Sequence, residues 1–147
     1  MRILLCTEFY HRFGGGYAFA LDSQALLQAH GHLVVPLAAR HPLNEPSPFD
    51  QHFLPYLDYP DMLRRGQWWR APQILAKVTS NRAAADAVTR LIRRHRPDLV
   101  HTHIIATHLS QSVWVAAKRA GVPVAHTLHD YKLLCPDTHL FTRGQVC

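Results

Sequence analysis

The sequence predicts an α/β domain built on a doubly wound parallel sheet, and three observations carry that prediction. Short, continuously apolar runs recur near residues 3–7, 33–37, 98–102 and 122–128, as in strands buried on both faces. Segments with helical spacing of apolar side chains lie between them. Gly31 and Gly121 close two of those segments, where a helix commonly ends on glycine. Strands alternating with helices make βαβ units and hence a parallel sheet.

Taken in order, Ile3 to Thr7 forms the first strand. Gly14-Gly15-Gly16 leads into a helix over Tyr17–His30, with Ala18, Leu21, Ala25 and Ala29 on its inner face. Leu33 to Leu37 is a second strand, and Pro36 within it demands a sheet edge or strand end. Residues 40–72 carry prolines at 42, 46, 48, 55, 60 and 72 and read as irregular, with a short strand around Phe49 to Leu54. A helix follows on Ala84, Ala87, Val88, Leu91 and Ile92, and Pro97 stops it. Asp98 to Thr102 is a strand, Leu109, Val113, Ala116, Ala117 and Ala120 mark the next helix face, and 122–128 is a further strand.

The 147 residues suffice for one domain with a real core, and 48% hydrophobic against 18% charged residues excludes a disordered tail. A net charge of +6 favours anionic partners. Arg90, Arg93, Arg94 and Arg96 gather at a helix end, where they complement the macrodipole, and no recognition motif points to nucleic acid. Arg64, Arg65 and Arg70 instead surround Trp68-Trp69, a grouping suited to a membrane interface, a sugar surface or simple core packing. Cys6, Cys135 and Cys147 form no CxxC pair, which fits a reducing, cytoplasmic compartment. The N-terminal apolar run is too short for a signal peptide, and nothing approaches the ~20 apolar residues of a membrane span.

Ligands of open parallel sheets bind beyond the carboxyl ends of the strands. Three polar clusters belong there: Glu8 to Gly16, His101 to His103, and His129-Asp130. Glycines between a strand and a helix expose backbone N–H groups to phosphate, although this run matches neither GxGxxG nor a P-loop. His101 and His103 share a strand face and could join His108 or His129 on a metal, while His126 and His129 differ in parity. The two glutamates, Glu8 and Glu45, give no paired carboxylates for acid–base work.

Several segments together carry a resemblance. They are Phe13 to Gly16 with a helix ending in His30-Gly31-His32-Leu33-Val34, the run Arg96 to His103, and Val122 to Pro136, continued by Gly144 to Cys147. In order and spacing, over nearly the whole chain, they resemble family 4 glycosyltransferases. The resemblance implies a GT-B fold, with residues 1–147 as its N-terminal, acceptor-side, Rossmann-like domain. The donor-binding C-terminal domain, with the family's paired glutamates, is then missing, so the chain alone is expected to be inactive.

The implied reaction is retaining transfer of a hexose-type sugar from a nucleotide-diphosphate sugar to a glycan or lipid-linked acceptor, with no metal and no cofactor. By position, His129 matches the catalytic histidine, and Gly15 and Gly16 match the loop at the donor phosphates. Glu8, Tyr17, His103, Asp130 and Tyr131 are the implied substrate contacts. The expected place is the cytoplasm, with peripheral contact at the inner membrane face. Cys135 and Cys147 stand where some relatives carry a cysteine set, so a metal or redox role competes with plain buried thiols. Two other readings compete: a non-catalytic sugar- or phosphate-binding module working with a separate chain, and a His-metal hydrolase.

Overall fold

A computed structural model describes residues 1–135 and 138–146. Pro136 and Cys147, which enter the readings above, lie outside the described residues. The central sheet has four parallel strands: β1 (Arg2–Cys6), β2 (Leu33–Leu37), β5 (Leu99–Thr102) and β6 (Val124–His126), in the order β2-β1-β5-β6. β2 lies at the edge, so Pro36 deprives no inner strand of a hydrogen-bond donor.

Strand parity divides the core into two layers. Leu4, Cys6, Val35, Leu37 and Val100 face the helices α4 (Arg82–His95) and α5 (Ser112–Arg119). Ile3, Leu5 and Val34 face the opposite side, where Leu27 of α1 (Gly15–Ala29) packs on them. Helices on both faces make the sheet doubly wound and Rossmann-like, as predicted. The buried residues of α4 are Ala84, Ala87, Val88, Leu91 and Ile92, the face its periodicity foretold. Asn81 starts this helix and left-handed Arg96 ends it before Pro97.

Four expectations are corrected. α1 buries Ala20, Leu21 and Gln24, while Ala25 and Ala29 are exposed. Apolar residues surround this helix, Phe19 and Leu26 among the exposed ones, so periodicity could not choose a face. The strand expected around Phe49 to Leu54 is a 3-10 turn at Asp50–His52 followed by β4 (Leu54–Pro55), which pairs in parallel with β3 (Ala39–Arg40). The stretch read as irregular holds α2 (Tyr59–Arg64), a 3-10 turn at Trp68–Arg70 and the start of α3 (Ala71–Thr79). Pro60 and Pro72 lie in the first turns of α2 and α3, where a missing N–H is no loss. Finally, the last parallel strand is only Val124–His126, shorter than the apolar run around it. Beyond it, β7 (Phe141–Thr142) and β8 (Gln145–Val146) form a hairpin through Arg143 and Gly144, both at positive φ.

Candidate active site

From β1 the chain crosses to β2 on one side, and β5 lies on the other, so the winding reverses between β1 and β5. The backbone ties this point together. His103 N–H donates to the Cys6 carbonyl at 2.9 Å, and Glu8 N–H donates to the Ile104 carbonyl at 2.8 Å. Glu8, His103 and the N-terminus of α1 thus meet beyond the carboxyl ends of the strands.

Alternation along β5 and into the residue after it puts His101 and His103 on one side, with ring centroids 4.3 Å apart, and Phe19 of α1 meets the His103 ring there. His101 Nε2 lies 2.8 Å from Thr127 Oγ1, and His103 Nδ1 lies 3.0 Å from His129 Nε2. His126 goes to the other face, as its parity requires, where it meets Thr102 and the edge of Trp114. Phe19 of α1 stands edge-on to His129 at 5.6 Å. Gly16 closes the contact from below. A Cβ there would lie 2.6 Å from Ile104 Cδ1 and 3.1 Å from His129 Cγ. Gly15 faces open space, with nothing within 4 Å of an added Cβ. The first turn of α1 has no side-chain cap and no acidic residue, which leaves backbone N–H groups directed past Gly14–Gly16.

Burial disfavours the charged form of His101, His103 and His129. Burial, followed by the neighbouring His101 and His129, lowers His103 to about 3. Burial also lowers His129, helped by His126 and opposed by Asp130. His103 is fully buried and lies behind His129. Asp130 and Tyr131 are exposed beside it, and the Asp130 carboxylate accepts from Lys132 N–H at 2.9 Å.

The remaining expected residues form a second cluster. Glu8 is buried; its Oε1 meets His108 Nδ1 at 2.6 Å, and its Oε2 accepts from the Tyr17 hydroxyl at 3.1 Å. Burial, then the Glu8 charge, pushes the Tyr17 phenol up. His108 also reaches the Leu57 carbonyl at 2.9 Å through Nε2. The metal grouping considered for His108 is therefore not what the structure assembles: His101, His103 and His129 come together, and His108 belongs to Glu8. Among the described residues no group of three or more His, Cys, Asp or Glu is placed to hold a metal ion. Phe9 sits at the centre of this cluster, its ring 5.3–5.8 Å from those of His11, Tyr17, His41, Tyr56 and His108. Sequence reasoning gave Phe9 and Tyr56 no role, and the 100-residue separation of Glu8 and His108 left no local signal for their pairing.

A cavity of about 300 Å³ opens beside His129 and Asp130, bounded by Ile104, Trp114 and Leu133 and by Thr79 at the end of α3. Cys6 is buried in β1, where burial pushes its thiol up, and Cys135 is a half-buried free thiol.

A family model described as "Glycosyl transferase 4-like domain" matches residues 14–145. No curated protein matches the chain. Among solved structures, the chain is similar to SsfS6, a glycosyltransferase of Streptomyces sp. SF2575. The identity is 23% and the TM-score 0.47, over 86% of this chain and 38% of that one. It is similar to Acinetobacter baumannii MurG at 15% identity and TM-score 0.48, over 94% of this chain and 39% of that one. A third is the glycosyltransferase VinC in complex with dTDP, at 20% identity and TM-score 0.42, over 84% of this chain and 33% of that one. The chain thus spans about two fifths of the length of SsfS6 and MurG.

Proposed function

The chain belongs to the glycosyl transferase 4-like domain family, and from that premise we propose that it is the acceptor-side wall of a two-domain GT-B active site. A hexose-type sugar passes there from a nucleotide-diphosphate donor to an acceptor, with retention of configuration. A second domain holds most of the donor, and the present chain alone does not turn over.

The observation that carries this reading is the contact between Gly16 and His129. A residue without a side chain brings the uncapped N-terminus of α1 against an imidazole in the cleft. N–H groups at a helix start favour phosphate oxygens. When the sugar–phosphate bond breaks, negative charge grows on the leaving diphosphate. The α1 N-terminus and His129 are then two fixed donors aimed at that charge, and they need not reorganise as it develops. Glu8, locked between Tyr17 and His108, shapes the acceptor side and holds Tyr17 toward the cleft.

The test is release of nucleoside diphosphate by a polypeptide that joins this domain to a donor-binding half. His129→Ala is expected to lower kcat by about 10²–10³-fold, the usual effect of losing one such donor. Residues 1–147 alone should release none. Turnover by the isolated chain, or full kcat in His129→Ala, would sink the proposal.

One further observation favours a lipid-linked over a free glycan acceptor at the inner membrane face. Trp68 and Trp69 are 66% and 71% exposed among the exposed Arg64, Arg65 and Arg70, and none of α3 is buried. No helix of the described residues is long and apolar enough to cross a membrane. Indoles ringed by cations suit an anionic lipid surface. The nine residues of α3 run about 14 Å from this patch to Thr79 on the cavity beside His129. A lipid-borne acceptor would meet both.

A further inference from the structure

We infer that His103 is a positioning residue that fixes His129 in the tautomer with its proton on Nδ1, so that His129 presents an N–H to the cleft. The catalytic meaning of this rests on the function proposed above; the tautomer does not.

Protons and acceptors between the two rings can be counted. The facing atoms are His103 Nδ1 and His129 Nε2, 3.0 Å apart, so one of them carries the single proton between them. His103 Nε2 is buried and has no partner. If His103 accepted through Nδ1, its own proton would sit on Nε2 as a buried donor with nothing to receive it. If it donates through Nδ1, the unpaired group is a ring lone pair. Orphaned buried N–H groups are the rarer of the two. His103 therefore donates, and His129 Nε2 accepts. A neutral His129 must then hold its proton on Nδ1, the one ring nitrogen left for a ligand.

The surroundings hold both rings in this state. Burial disfavours the charged form of each imidazole, and the neighbouring histidines act in the same direction. Phe19 stands against both rings, and Gly16 leaves His129 no room to swing toward α1. The result is a neutral donor beside the uncapped helix start. It can hydrogen-bond an anionic leaving group without being an imidazolium.

Nitrogen-15 NMR of the 147-residue protein at neutral pH tests this without any substrate. The expected spectrum shows a pyrrole-type Nδ1 and a pyridine-type Nε2 for His129. A protonated Nε2 on His129 in the unaltered protein overturns the inference. His103→Asn places an amide N–H near the Nδ1 position and should retain the tautomer. His103→Leu removes the donor and should shift His129 toward the Nε2–H form; retention of Nδ1–H in that variant overturns the role of His103. Should His103→Leu fail to fold, the unaltered protein and His103→Asn still decide. In the two-domain enzyme, His103→Leu should lose about 10- to 100-fold in kcat with KM little changed, and His103→Asn should recover most of it. The expected tautomer in a protein without transferase activity would count against the proposed function alone.

Discussion

Gly16 and Gly15 are neighbours with opposite steric surroundings, and the difference can be measured. A methyl at Gly16 meets Ile104 Cδ1, which can turn aside, and the Cβ and Cγ of His129, which sit close to the backbone and cannot. Gly16→Ala should therefore displace His129 by a few tenths of an ångström and cost about 1 kcal/mol, the low end for overpacking. Gly15→Ala meets nothing and should be neutral or mildly stabilising. Urea denaturation with the His129 ring resonances as a probe separates the two, and equal effects would remove the steric role given to Gly16. His103 carries a second expectation. Its unfolded imidazole titrates near 6.5, and in the folded protein burial and its neighbours lower it to about 3. Between those values the unfolded chain binds the extra proton. The stability is whole above about pH 6.5 and drains away as the pH falls toward 3, by up to ~1.4 kcal/mol per pH unit. Urea midpoints should decline from pH 7 to 5, and more shallowly in His103→Asn. Parallel slopes would mean that other groups dominate.

At the scale of elements, the start of α4 matters beyond its own helix. Asn81 Oδ1 accepts from Ala84 N–H at 3.2 Å, its Nδ2 donates to the His108 carbonyl at 2.5 Å, and its backbone N–H donates to Ser110 Oγ at 3.0 Å. One side chain caps the helix and anchors the loop that carries His108 to Glu8. Asn81→Ala loses the cap and leaves a buried carbonyl unpaired, which should cost about 2 kcal/mol. Chemical denaturation reads this directly, and a loss of only a few tenths would show that the loop holds His108 without Asn81. Other elements show how local rules mislead. Prolines 60 and 72 read as breakers because they fall in a proline-rich stretch, yet each opens a helix. α4 was legible because charged residues flank a single apolar stripe, whereas α1 hid its face in apolar residues on every side.

The whole molecule joins an exposed Trp–Arg patch, a cavity and an imidazole pair through α3 and the ends of the sheet. Its predicted behaviour is binding to vesicles containing phosphatidylglycerol. Replacing Trp68 and Trp69 by Ala should weaken it about tenfold, or 1.4 kcal/mol, and high salt should weaken it further by screening the arginines. Co-sedimentation that is absent, or indifferent to both changes, would leave the indoles without this role.

The sequence by itself determined the places of the four central strands, the α4 face, the two-sided winding and the shared face of His101 and His103. Each of these is a periodicity of 2 or 3.6 residues, or a cap, written within a few neighbouring positions. Glu8, Gly16, Tyr17, His129 and Asp130, singled out from the sequence, lie beyond the strand ends in two clusters, one around His129 and one around Glu8. Only the tertiary structure decided what each one touches. Glu8 finds His108 across 100 residues, and His103 finds His129 across 26, behind it and sealed from solvent. Such pairings depend on where crossovers return the chain and on which nitrogen a buried ring can leave unpaired. No local pattern encodes either, because burial and hydrogen-bond partners are properties of the packed molecule.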